Sequence, residues 1–153
     1  MILEKIAIGC DHGGFLLKEK IIRFLKKKNY SVRDFGSFSQ ESVDYPDFAC
    51  KVASAVSRKT VARGILICKT GIGNCIVANK FRGVRAALCY NTTAARLARQ
   101  HNDANILVLG ARFVNSRSAL KILEVWLKTV FEGGRHLRRI KKIERIEKLC
   151  ARP

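Results

Sequence analysis

Short apolar runs alternate along the chain with stretches whose apolar residues recur every three or four positions. The runs at 6–9, 31–34, 64–68, 84–88 and 106–110 read as strands, and the stretches at 14–27, 45–57, 73–80, 91–101 and 116–131 read as helices. In the first helix the stripe is Leu17, Ile21, Phe24 and Leu25; in the fifth it is Leu120, Leu123, Leu127 and Val130. Several of the strands are near-continuous apolar runs rather than alternating ones, which is the pattern of strands covered on both faces. Five strand–helix repeats of this kind predict a three-layer α/β/α, Rossmann-like fold around a five-stranded parallel sheet. No linker interrupts the repeats, so one domain is expected over 1–153.

The last twenty residues follow a different rule. After Gly133-Gly134, a basic helix at 134–151 carries Leu137, Ile140, Ile143, Ile146 and Leu149, one apolar residue every third position. Each step of three lags a full turn by about 60°, so the stripe winds around the helix instead of holding one face. Such a stripe is best buried by two bodies. The expectation is a homodimer, or a tetramer built from it, in which this helix lies at the interface.

Composition narrows the functional classes. The chain has 153 residues, 48% of them apolar, which excludes intrinsic disorder despite a net charge of +18. No window reaches the roughly 20 uncharged apolar residues of a membrane span, and the first residues carry Glu4 and Lys5 with no apolar leader core. The expected location is the cytoplasm. From Phe48 to Asn102 there is no carboxylate, a bias that attracts polyanions or small phosphorylated solutes. Nucleic acid is the less favoured partner, because aromatics are only 8% and no zinc-finger, RNP or basic-zipper pattern is present. The six cysteines include no C-x-x-C pair, and His12, His101 and His136 stand at no metal-ligand spacing with them. Reduced thiols and no metal are therefore expected, with most cysteines acting as small buried hydrophobes.

In an open parallel sheet, ligands bind beyond the carboxyl ends of the strands. The segments there are Cys10-Asp11-His12-Gly13-Gly14 after the first strand, Cys68-Lys69-Thr70-Gly71-Ile72-Gly73-Asn74 after the third and Gly110-Ala111-Arg112 after the fifth. His101-Asn102-Asp103-Ala104-Asn105 leads into the fifth strand, and all four segments are expected to converge on one edge. A Thr-Gly-Ile-Gly turn between strand and helix aims consecutive N–H groups at one point and forms an anion hole. It is neither a Walker A loop nor Gly-x-Gly-x-x-Gly, which argues against nucleotide cofactors. Thiols at helix N-termini gain thiolate character, so Cys68 is a candidate base or nucleophile.

These motifs, with Asp34-Phe35-Gly36, Tyr45-Pro46-Asp47, Ala78-Asn79-Lys80, Arg85 to Cys89 and Gly133-Gly-Arg-His136 with Arg139, resemble in order the B-type ribose-5-phosphate isomerases. These belong to the sugar-phosphate isomerase family that also holds galactose-6-phosphate and allose-6-phosphate isomerases. The resemblance runs from about residue 6 to 148. It implies interconversion of an aldose and a ketose phosphate through an enediolate, with no cofactor and no metal. On that pattern Cys68 is the base and Thr70 polarises the carbonyl side, while Gly71, Ile72, Gly73 and Asn74 form the backbone anion hole. His101, paired with Asp11, opens the sugar ring; His12, Arg112, Arg135 and Arg139 hold the phosphate; Tyr45 and Asn102 contact substrate. If the last helix crosses to a partner, the site is shared between two chains.

Two departures stand out. Family members carry Gly where Lys69 stands and a small or Ser-like residue where Cys75 stands. A Gly there marks a positive φ or a close substrate approach, and Lys69 would then be strained by about 1 kcal/mol or more. In the other reading Lys69 points outward and its charge favours the Cys68 thiolate. The alternatives left open are a subunit of a galactose-6-phosphate or allose-6-phosphate isomerase, and a non-catalytic relative that binds anions or nucleic acid.

Overall fold

The computed structural model of the chain describes residues 4–151. Five strands, β1 (Lys5–Cys10), β2 (Ser31–Asp34), β3 (Arg63–Cys68), β4 (Ala86–Leu88) and β5 (Ile106–Gly110), form one sheet in the order β2-β1-β3-β5-β4. Every neighbouring pair is parallel. Six helices surround it: α1 (Phe15–Lys27), α2 (Tyr45–Ser57), α3 (Ile72–Ala78), α4 (Thr92–Asn102), α5 (Ser116–Lys128) and α6 (Arg135–Cys150).

The three central strands are apolar because both faces are covered, and their side chains divide with period two. Ile6, Ile8, Ile65, Ile67, Leu107 and Leu109 join a core with α1, α4 and α5, whereas Ala7, Leu66, Ile106 and Val108 join a second core with α2 and α3. Between β1 and β3 the strand order reverses, and it is at such a switch point, beyond the carboxyl ends of the strands, that an open parallel sheet forms its ligand crevice. Cys10 and Cys68 are the last residues of those two strands.

The chain leaving β2 is tied to this crevice. Lys18, fully buried in α1, donates to Asp34 Oδ2 at 2.6 Å, and the other oxygen of Asp34 accepts from the Gly36 N–H at 2.9 Å. The Cys10 N–H donates to Gly36 O, and Ser37 N–H donates to Cys10 O. A buried cation needs such a partner, and here the pair also fixes the backbone beside the end of β1.

Two elements are shorter than their apolar pattern. The fifth helix stops at Lys128, because Thr129 is extended (ψ 128°) and turns its hydroxyl back to the Val125 carbonyl at 2.6 Å. Val130, expected on the buried stripe, lies outside the helix and is 76% exposed. The fourth strand begins at Ala86, since the Arg85 N–H is taken by the Asn105 side chain at 2.8 Å.

Candidate active site

Cys68 ends β3 inside the crevice, and the Gly71 N–H donates to its Sγ at 3.1 Å. The turn that makes this bond needs glycine at 71. Its φ is +80°, and a Cβ there would lie 2.4 Å from Leu88 Cδ1. Ile72 N–H donates to Thr70 Oγ1 at 3.3 Å, so the hydroxyl accepts from the backbone and its own hydrogen is free to point outward. Gly73 lies under the ring of Tyr45, where a Cβ would come within 2.4 Å of Cζ. Asn74 is buried, and neither its amide nitrogen nor its oxygen has a partner among the described residues.

The turn after β1 forms the facing wall. Asp11 is buried and caps a short 3-10 turn at His12–Gly14, accepting from the Gly14 N–H at 3.0 Å. His12 Nδ1 accepts from the Val43 N–H at 3.2 Å, two residues before Tyr45. From the other side, the turn after β5 closes in: Ala111 N–H donates to Cys68 O and Arg112 N–H to Lys69 O, both at 2.9 Å. Asp11, His12, Tyr45, Cys68, Thr70 to Asn74 and Arg112 thus stand on adjoining turns at one edge of the sheet.

The other four candidates stand elsewhere. Helix α4 runs back against the strands, so its last turn, with His101 and Asn102, lies at the opposite edge. There the Arg85 guanidinium donates to Asn102 O at 2.9 Å, just before β4 begins. Arg135 and Arg139 lie at the start of α6, beside that turn. His101 stacks on His136 with ring centroids 4.2 Å apart and planes 9° from parallel. The expected pairing of His101 with Asp11 therefore does not occur within one chain.

His136 was not among the expected site residues, although it stands in the Gly133-Gly-Arg-His motif. It is buried, and its Nε2 lies 3.5 Å from Glu132. Burial first, then His101 and Arg135, hold it toward the neutral form. The ligand atoms of His101, Glu132 and His136 lie within 4.8 Å of one another. Stacked rings point their in-plane nitrogens along parallel planes rather than at one ion, which is a poor arrangement for a metal.

The thiols are told apart by environment. Burial pushes Cys10 up to about 11 and Cys89 up to about 12, and raises Cys75 as well, so these remain protonated thiols. Cys50 lies on α2 and Cys150 is exposed at the end of α6. Only Cys68 among the six combines the crevice with a backbone N–H on sulfur. Lys69 is not among the non-glycine residues with positive φ, so of its two readings the strained one does not apply.

A family described as Ribose/Galactose Isomerase matches residues 6–143. Ribose-5-phosphate isomerase B of Escherichia coli (strain K12) is 48% identical over 145 residues, 95% of this chain and 97% of that protein. The chain belongs to the ribose/galactose isomerase family. The solved ribose-5-phosphate isomerase B of Clostridium thermocellum has a TM-score of 0.95 at 56% identity, covering 96% of this chain and 99% of that one. The same enzyme from Mycoplasma genitalium, solved with bound ribulose-5-phosphate, has a TM-score of 0.91 at 49% identity, covering 94% and 96% of the two chains. The match to the ribose/galactose isomerases includes both groups of candidate residues, on both edges of the sheet.

Gly71→Ala is expected to lower turnover by about 100-fold, because a Cβ at this left-handed residue would meet Leu88 and shift the turn, misaligning its N–H groups on the scale of losing one anion-hole donor. Steady-state kinetics of the folded variant, with circular dichroism as the control, checks this. Near-normal turnover would show that the left-handed turn is dispensable.

Proposed function

We propose that this chain interconverts ribose 5-phosphate and ribulose 5-phosphate, with Cys68 moving a proton between C2 and C1. The observation that carries the proposal is the Gly71 N–H held 3.1 Å from the sulfur of a crevice cysteine. A sulfur in that position is suited to act as a base, and the N–H groups at the start of α3 would stabilise the negative charge that grows on the enediolate oxygens. The thiolate takes the C2 proton of the open-chain aldose, the C2–H electrons form the C1–C2 double bond, and the carbonyl oxygen gains negative charge. Thr70, whose hydroxyl hydrogen is unused by the backbone, hydrogen-bonds that oxygen. A proton then passes from O2 to O1 by way of the Thr70 hydroxyl, the O2 electrons form the C2 carbonyl, and the C1–C2 double-bond electrons take the proton back from the thiol at C1, which completes the ketose and regenerates the thiolate.

The site is complete only in a dimer. His101 and Asn102 of the partner subunit would approach this crevice, the first to open the furanose ring, with Arg135 and Arg139 of the partner subunit joining His12 and Arg112 around the phosphate. Two observations support this. Within one chain the two groups lie on opposite edges of the sheet. Along α6, His136 and Ile140 are buried against the chain's own body, whereas Leu137, Ile143, Ile146 and Leu149 remain 41–63% exposed. That is the stripe a second copy would cover. By two-fold symmetry each dimer holds two sites. Among the described residues no helix is long and apolar enough to cross a membrane.

Incubation with ribose 5-phosphate in deuterated water, followed by proton NMR, tests the activity. Ribulose 5-phosphate should appear, with deuterium carried into the C2–C1 fragment by exchange at the thiol. Turnover of galactose 6-phosphate or allose 6-phosphate, with none of the pentose, would replace the substrate assignment.

A further inference from the structure

We propose that Lys69 binds the phosphate group of the substrate, as a third phosphate ligand supplied by the same chain as His12 and Arg112. The inference rests on the isomerase reading above and adds a ligand to it. Side chains along β3 alternate, Ile65 and Ile67 facing the α1 side and Leu66 the α2 side. Continued past Cys68, this alternation sends Lys69 to the α1 side, toward the turn that carries His12. The packing agrees, because a Cβ at Gly13 would lie 3.3 Å from Lys69 Cβ and 3.4 Å from the Lys69 backbone nitrogen. Gly13, with no side chain, leaves room for the base of the lysine.

The backbone of Lys69 is held from the other side, where the Arg112 N–H donates to its carbonyl at 2.9 Å. Lys69 therefore sits between the two turns that bring His12 and Arg112. Its side chain is exposed, and among the described residues no carboxylate lies within ion-pair distance of its ammonium. Asp11, whose Oδ1 lies 3.3 Å from the same built Cβ at Gly13, gives that oxygen to the Gly14 N–H. A free ammonium on a flexible four-carbon stem at this point is placed to meet a dianion. It replaces a family glycine without the strain that a positive φ would impose.

The test compares Lys69→Met and Lys69→Arg with the parent enzyme. For Lys69→Met, KM for ribose 5-phosphate and the competitive inhibition constant of inorganic phosphate should both rise about tenfold, the scale of one charge-assisted hydrogen bond, with kcat within about twofold. Lys69→Arg should restore most of both. Unchanged KM and phosphate inhibition would overturn the proposal. So would a fall in kcat with a shifted pH profile and unchanged KM, which would assign Lys69 to the thiol. Calorimetric titration of the same variants with inorganic phosphate reads the lysine even if the parent shows no isomerisation, so failure of the activity is distinguishable from failure of the ligand.

Discussion

Cys68→Ala should lower isomerisation by about 10³-fold while leaving ribose 5-phosphate binding within about twofold of the parent, because a proton-transferring group acts on the transition state and little on the ground state. Several features make the expectation specific. The sulfur is largely enclosed, so its loss removes a small volume at the crevice wall and disturbs little packing. The other thiol at the crevice, Cys10, is pushed up to about 11 by burial and is occupied with Ser37, so it cannot take over as base near neutral pH. Cys89 is higher still and lies on the other side of β5. Calorimetry of substrate binding beside a coupled assay of turnover separates the two effects. Loss of binding together with turnover would make Cys68 a structural residue of the crevice, and retained turnover would move the base elsewhere.

The features legible in the sequence share a physical cause. Strands β1, β3 and β5 announce themselves because strands buried on both faces cannot afford polar residues, and the Thr70-Gly71-Ile72-Gly73 turn because a left-handed residue against Leu88 admits only glycine. The crevice at β1 and β3 follows from strand order, which the repeat pattern constrains without specifying.

What was not legible depended on contacts between distant segments. Val130 continues a helical stripe in sequence, yet Thr129 ends the helix with its own hydroxyl. His101 and His136 are thirty-five positions apart, and only the packing of α6 on α4 stacks their rings. Within one chain His101 and Asp11 are kept apart for a topological reason: the end of a helix that returns antiparallel to the strands lies at the edge opposite the strand ends. Lys69 is readable as a departure, but its ordinary φ and its position against Gly13 appear only in three dimensions. Most of the net charge of +18 finds no partner in the site, and nothing in the structure explains it beyond long-range attraction of anions.

On the proposed function, one crevice takes its base from one chain and its ring-opening histidine from the other. Cys68→Ala and His101→Ala homodimers should each be nearly inactive, since each lacks one half of every site. Mixed by co-expression or by joint unfolding and refolding, random pairing gives half heterodimers, and each of these holds one site with both residues intact. Steady-state turnover of the mixture should recover to about a quarter of the parental value per chain, as two-fold symmetry requires. If Cys68 and His101 of the same chain served one site, every site in the mixture would lack one of them. Activity no higher than that of the two separate variants, in a mixture shown by native mass spectrometry to contain the heterodimer, would rule out a site shared between the chains.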